Sequence, residues 1–214
     1  MYLPAHFEES RPELLAKLIN DYPLATVIAS PVGIDAPEIN LVPFLLAPQP
    51  GEHGRLLGHV ARGNPLAQCD GQQLTVLFHG PNAYITPNWY ASKAETGKAV
   101  PTWNYAMVEV RARLRCVRES GPLLALMRTL TDHFEADQAK PWTVDEAPAD
   151  YIDKMLTAIV GLELDIKAIR GKFKLSQNQS RQNFASIQQG LGGAGSSAAS
   201  QTLHYMQALQ RLGN

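Results

Sequence analysis

Between Met107 and Val117 the chain alternates without interruption. Val108, Val110, Ala112, Leu114 and Cys116 fall on one side, and Glu109, Arg111, Arg113 and Arg115 on the other. A two-residue period of this kind belongs to a strand with one buried and one wet face. The remaining chain must therefore supply a sheet that covers the apolar side. Further runs do so. Leu24 to Ser30 is β-branched and apolar, Asn40 to Leu46 carries Pro43 and so reads as an edge or bulged strand, and Arg55 to Ala61, Gln73 to His79 and Ala83 to Thr86 follow. Leu162, Leu164 and Ile166 alternate as a last strand. Pro31 to Gly33, Pro48 to Gly54 and Asp70-Gly71 are the expected turns.

Helical spacing is confined to the flanks. Ser10-Arg-Pro-Glu13 reads as a capping box with Pro12 in the first turn, followed by Leu14, Leu15, Leu18 and Ile19. Asn64 caps a short helix from Pro65 to Cys69. Pro122 to Ala136 presents Leu124, Met127, Thr131 and Phe134 as a stripe. A second helix follows Ala147-Pro148, carries Tyr151, Ile152, Met155, Leu156 and Ile159, and is stopped by Gly161. Gly171 to Asn178 reads as a cationic turn and Ser180 to Gln189 as a helix. Gly190 to Ser200 reads as a flexible linker, and Gln201 to Leu212 as a short terminal helix. Strands broken by hairpin turns, with few helices between them, predict a mainly β, α+β chain: a barrel with peripheral helices. The expected division is a barrel domain over 1–190 and a linker with a terminal helix over 191–214.

Several function classes are disfavoured. No Gly-x-Gly-x-x-Gly follows a strand and no phosphate-binding loop of the Walker type occurs, which argues against a doubly wound nucleotide fold. A net charge of −1 gives no overall cationic field for nucleic acid. No apolar run is long enough to span a membrane. Cys69 and Cys116 stand far apart as free thiols, and the histidines lack metal-ligand spacing. The amino-terminal residues have no basic start followed by an apolar core, so a cytoplasmic address is expected.

Three polar-aromatic blocks carry the candidate chemistry: 58–65 (Gly-His-Val-Ala-Arg-Gly-Asn-Pro), 79–90 (His-Gly-Pro-Asn-Ala-Tyr-Ile-Thr-Pro-Asn-Trp-Tyr) and 98–105 (Lys-Ala-Val-Pro-Thr-Trp-Asn-Tyr). Cations, amide donors and flat rings at strand ends suit a planar phosphorylated ligand such as FMN, whose phosphate, ring edge and ring face each need a different partner. Arg62 and Asn64 are candidates for the phosphate, although a surface arginine and a helix cap explain them equally well. His59 is a second candidate, set against an ordinary strand histidine. Tyr84, Trp89, Tyr90, Trp103 and Tyr105 offer either ring cover or barrel-end and dimer packing. Lys172, Lys174, Ser176 and Gln177 supply charge and donors, or a solvated face. Arg111, Arg113, Arg115 and Arg118 read as an outer sheet face or as a local patch for DNA phosphates.

These blocks, together with the opening Met-Tyr-Leu-Pro-Ala-His-Phe-Glu-Glu-Ser-Arg-Pro-Glu-Leu, Ala147-Pro-Ala-Asp-Tyr-Ile152 and Gly171-Lys-Phe-Lys-Leu-Ser-Gln-Asn178, resemble the PaiB-like FMN-binding negative transcriptional regulators over roughly residues 1–191. The resemblance implies an FMN-binding split β-barrel, related to pyridoxamine-phosphate oxidases, that forms a homodimer with flavin at the subunit interface. It implies Arg62 and Asn64 at the phosphate, His59 beside the flavin, and Trp103, Asn104 and Tyr105 near the neighbouring subunit. Tyr84, Thr86, Lys172, Lys174, Ser176 and Gln177 complete the expected cofactor set. The family name implies regulation of transcription, with DNA contact direct or indirect. A flavin-dependent oxidoreductase acting on a small molecule is the alternative. Two departures stand out: 36–43 lacks the family's Asn-His segment, and the Gly/Ser tail after Gly190 is particular to this chain.

Overall fold

The computed structural model describes residues 1–30, 36–48 and 53–211. Its strands are β1 (Glu8–Glu9), β2 (Leu24–Ala29), β3 (Glu38–Pro43), β4 (Leu45–Ala47), β5 (Arg55–Ala61), β6 (Gln73–Ile85), β7 (Thr102–Val117) and β8 (Ile159–Lys174). The helices are α1 (Pro12–Asp21), α2 (Lys93–Thr96), α3 (Ser120–Glu135), α4 (Ala149–Thr157), α5 (Arg181–Gly193) and α6 (Ser197–Arg211). The strands form one sheet in the order β3-β2-β6-β7-β8-β5-β4, with β1 added against β8. The registered pairs β1–β8, β2–β3, β2–β6, β4–β5 and β5–β8 are antiparallel. The chain divides into two compact units, one of Met1–Leu18, His79–Val108 and Arg170–Asn214, the other of Ile19–Phe78 and Glu109–Ile169. Strands β6, β7 and β8 contribute residues to both.

In the second unit β3 and β5 come together although they lie far apart in the strand order, so the sheet curls toward closure. Gly58 on β5 allows that approach. A Cβ there would stand 2.9 Å from the Phe44 ring and 3.0 Å from the Pro43 carbonyl. Phe44 and Phe78 meet edge to face inside, with ring centroids 6.5 Å apart, among buried Val27, Val42, Leu56, Val76 and Val110. Outside, Leu123, Leu126 and Leu130 of α3 and Leu156 of α4 pack with Leu57 and Val117. The first unit buries Leu14, Leu15 and Leu18 of α1, and Phe184, Ile187, Leu191, Tyr205 and Met206 of α5 and α6.

β2, β5 and the 3-10 turn Pro65–Gln68 fall where the pattern places them, with Asn64 Oδ1 accepting from the Leu66 amide. The expected 40–46 strand is two strands broken at Phe44, and β3 is an edge, as Pro43 requires. Turn 31–33 lies outside the described residues, and most of turn 48–54 does too. Helix α1 begins at Pro12 with Arg11, not Ser10, at its cap. The Arg11 carbonyl accepts from the Leu14 and Leu15 amides, and Glu9 takes both the Arg11 amide and its guanidinium. In α3 the buried stripe is Leu123, Leu126 and Leu130, one position removed from the expected one, and Phe134 is exposed.

The larger corrections share one cause. Gly161, Gly171 and Gly190 read as breaks and Gly80 falls between two expected strand runs, yet each lies within a continuous element that a side chain would push apart. Gly80 sits inside β6, where a Cβ would stand 2.9 Å from the Ala106 carbonyl. Gly161 does not stop α4 but belongs to β8, 2.5 Å from Leu126 Cδ2 by the same construction. Gly171 extends β8 through Lys174, paired with Glu9 and packed on Leu15. Gly190 lies within α5, where a Cβ would enter the Trp89 ring. The stretch expected as a linker is thus mostly helix, with Ala194, Gly195 and Ser196 alone between α5 and α6.

Gly190→Ala should destabilise the protein by about 1–3 kcal/mol through overpacking against Trp89. Gly63→Ala, with open space around its Cβ position, should be near neutral. Equal thermal unfolding midpoints for the two variants would contradict this account of α5.

Candidate functional site

The first unit carries an aromatic strip. Tyr84 of β6 and Trp103 of β7 are 49% and 53% exposed, with centroids 6.1 Å apart at 70°. A hollow of about 280 Å³ beside them is bordered by His79, Asn82, Trp103, Tyr105 and Met107. Lys172 of β8 holds its ammonium 5.5 Å from the Tyr105 centroid and 5.4 Å from that of Tyr2, and donates to the Tyr2 carbonyl at 2.9 Å. Aromatic residues favour strands, but large rings left in solvent favour a partner or ligand.

A second, smaller hollow of about 190 Å³ in the same unit is lined by Phe7, Tyr90, Val100, Pro101, Thr102, Asn104, Lys174, Ser176, Asn178 and Gln179. Lys174 Nζ donates to Thr102 Oγ1 and, at 2.7 Å, to the Trp103 carbonyl. Burial lowers the Lys174 pKa, and the neighbouring Lys172 charge adds to that while Tyr105 opposes it. Ser176 is buried at φ 63°, a conformation uncommon outside glycine, and its Oγ donates to Asn104 Oδ1 at 3.0 Å. Among the described residues, Asn104 Nδ2 reaches only the thioether of Met206, at 3.7 Å. Gln177 serves the turn itself: its Oε1 accepts from the Leu175 amide at 2.7 Å and its Nε2 donates to the Phe173 carbonyl.

The 87–101 segment contains a 3-10 turn, Pro87–Trp89, and the short α2. Thr86 Oγ1 caps the first by accepting from the Asn88 amide. Helix α5 straps the segment down. Ser186 Oγ accepts from the Ala91 amide and donates to the Trp89 carbonyl, while Asn183 Oδ1 accepts from the Ser92 amide and Asn183 Nδ2 donates to Ser92 Oγ.

The second unit holds His59, Arg62 and Asn64. Arg62 closes the end of α4: its amide donates to the Ala158 carbonyl, and its guanidinium donates to Thr157 O and, at 3.4 Å, to Ile159 O. One edge of the guanidinium is left toward solvent. Asn64 caps the 3-10 turn through Oδ1 and donates from Nδ2 to Asn40 Oδ1 at 2.7 Å. Asn40 Nδ2 is buried and has no acceptor among the described residues, which makes it a costly donor unless something else bonds it. The imidazole of His59 is surface-exposed, yet the surrounding protein desolvates it enough to lower its pKa.

The expected cofactor residues therefore fall into three groups: Tyr84, Trp103, Tyr105 and Lys172 along the strip; Asn104, Lys174 and Ser176 around the small hollow; and His59, Arg62 and Asn64 in the other unit. Thr86 and Gln177 are engaged with their own backbone neighbourhoods. Asn40 was not singled out by sequence reading. The only available signal was an amide placed between Ile39 and Leu41 on a strand already suspected of being an edge. In the second unit, the guanidinium of Arg62 and the amides of Asn64 and Asn40 are a donor set that suits the phosphate of FMN.

Residues 1–168 match the family model described as "Putative FMN-binding domain". A protein of Emericella nidulans is 31% identical, with the match covering 92% of this chain and 93% of that one. The Bacillus subtilis protease synthase and sporulation protein PAI 2 is 26% identical, with 87% of each chain covered. Among solved structures, the flavocytochrome Anf3 from Azotobacter vinelandii is similar at TM-score 0.55 and 15% identity, covering 78% of this chain and 69% of its own. The FAD and heme binding protein from Mycobacterium smegmatis is similar at TM-score 0.54 and 18% identity, covering 78% and 73%.

An NMR pH titration should place the His59 midpoint below 6.5, the ordinary histidine value. Because the folded protein favours the neutral ring, His59 contributes stability above pH 6.5 that is lost as pH falls through its folded pKa. A midpoint above 6.5 would contradict the local environment described for β5.

Proposed function

Because the chain belongs to the FMN-binding domain family and has the flavin-binding split-barrel fold, we propose that Arg62, Asn64 and Asn40 hold the FMN phosphate end. The observation that carries this reading is Asn40 Nδ2, a buried donor with no acceptor of its own, beside an asparagine fixed at a turn. Arg62 is fixed by the carbonyls at the end of α4, and its remaining edge suits a charge-assisted contact to phosphate. In the first unit, Tyr84 and Trp103 offer exposed flat rings that suit a planar ligand. When bound, FMN supplies hydride and one-electron redox chemistry. The chain's own residues orient it, and neutral His59 is a candidate to hold or pass a proton.

This reading makes the protein a flavoprotein whose influence on transcription, if it shares the role suggested by the name of its Bacillus relative, acts through the flavin. The arginine ladder supports an indirect route. Arg115 donates to Glu163 at 3.0 Å and Arg111 lies 3.5 Å from Glu109, so carboxylates offset much of the charge a DNA patch would need. A small-molecule oxidoreductase remains the second reading, favoured by the exposed strip and the hollow beside it.

For the proposed homodimer, β2 and β3 offer an apolar surface. Ile28 pairs with Ile39, Thr26 with Leu41 and Leu24 with Pro43 across β2 and β3, and Thr26 pairs with Leu77 of β6. Ile39 and Leu41 are 64% and 67% exposed. An uncharged apolar strip is complementary to itself, as a two-fold interface requires, so a second copy is its proposed occupant.

Arg62→Ala should weaken FMN by at least about tenfold. Asn40→Asp keeps an acceptor for Asn64 but replaces the orphan donor, and should weaken it by a similar factor or more. Unchanged FMN titrations for both variants would remove this phosphate site. Leu41→Glu should convert a dimer to a folded monomer in light scattering, and an unchanged mass would move the interface elsewhere.

A further inference from the structure

The geometry points to a second ligand site, distinct from the proposed phosphate contacts: the hollow under Lys174 binds a small organic carboxylate. Three observations converge there. First, Lys174 has no carboxylate within ion-pair distance among the described residues; its ammonium meets only a hydroxyl and a carbonyl. Lys172 shares the Tyr105 ring with it, the two ammoniums lying 5.5 Å and 6.0 Å from the same centroid. A partly buried cation beside another cation lacks an anion, and its lowered pKa has that cause in part.

Second, the polar floor of the hollow is built and imperfectly satisfied. Asn104 is 1% and Ser176 4% exposed. Ser176 takes up a left-handed backbone to bring its hydroxyl to Asn104, and the Asn104 amide finds only a sulfur, a weak acceptor. Backbone strain held beside an under-used buried donor is characteristic of ligand sites. Third, Phe7, Tyr90, Val100 and Pro101 make part of the remaining wall apolar, beside Asn178 and Gln179. About 190 Å³ admits a short acyl chain as well as its head group. That wall favours an organic acid over inorganic phosphate, which would leave it unfilled. The site lies wholly within the first unit and rests on the reading that Arg62, Asn64 and Asn40 hold the FMN phosphate.

Butyrate, butyramide and inorganic phosphate are the probes, titrated by calorimetry into the full chain with and without FMN. Butyrate should bind at least tenfold more tightly than butyramide or phosphate, and Lys174→Gln should remove that preference. Equal binding of butyrate and butyramide would overturn the role of the ammonium, and equal binding of phosphate would overturn the organic-acid assignment. Lysine acylation by a small activated ester, read by mass spectrometry on the unmutated protein, guards against a variant that fails to fold. Butyrate should protect Lys174 several-fold and leave Lys172 unprotected; equal labelling of Lys174 with and without butyrate would overturn the site.

Discussion

At Gly58, Gly80, Gly161 and Gly171 a single added carbon would stand 2.5–2.9 Å from a neighbouring ring, carbonyl or leucine methyl. The architecture depends on those close approaches. β6, β7 and β8 are 13, 16 and 16 residues long, and β6 and β8 keep going only because glycine admits the packed neighbour. Gly58 does the same for the approach of β5 to the β3–β4 break, which curls the sheet. Interiors packed to crystal-like density leave no cheap way to accommodate a methyl group at such points.

That constraint also explains which parts of the fold were legible in the amino-acid order. β5 from Arg55 to Ala61 and the alternation of Val108 to Leu114 could be read because a period of two survives whatever packs on it. The Asn64 cap could be read because capping is local chemistry between neighbours. The continuation of β6 through Gly80, of β8 through Gly161 and Gly171, and of α5 through Gly190 could not. Glycine marks both a turn and a close contact, and only the neighbour, distant in sequence, distinguishes them. The same ambiguity turned the end of α5 and the start of α6, within 190–200, into an expected linker.

The candidate site was legible in residue type more than in grouping. Rings and amides of the three blocks do gather, some with Lys172 and Lys174, but as separate clusters with different partners. Trp103 and Tyr84 stay in solvent, while Asn104, one residue along β7, turns inward to Ser176. Alternation dictates that split, yet it shows only once Trp103 to Tyr105 is known to be strand and not loop. Asn40 was invisible because its importance is a missing bond, and a missing bond is a property of the packed structure. The strapping of 87–101 by Asn183 and Ser186 likewise joins residues more than ninety positions apart.

What unifies the proposed chemistry is a set of donors and cations whose own-chain partners are too few or too weak: Asn40 Nδ2, the outer edge of Arg62, and Lys174. Such groups are costly in a folded protein unless a ligand completes them. Titration of the purified, flavin-stripped protein with FMN, followed by quenching of flavin fluorescence, tests that claim most directly. The account predicts saturable quenching with an equimolar end point. Flavin fluorescence that stays at its free value throughout the titration would contradict it.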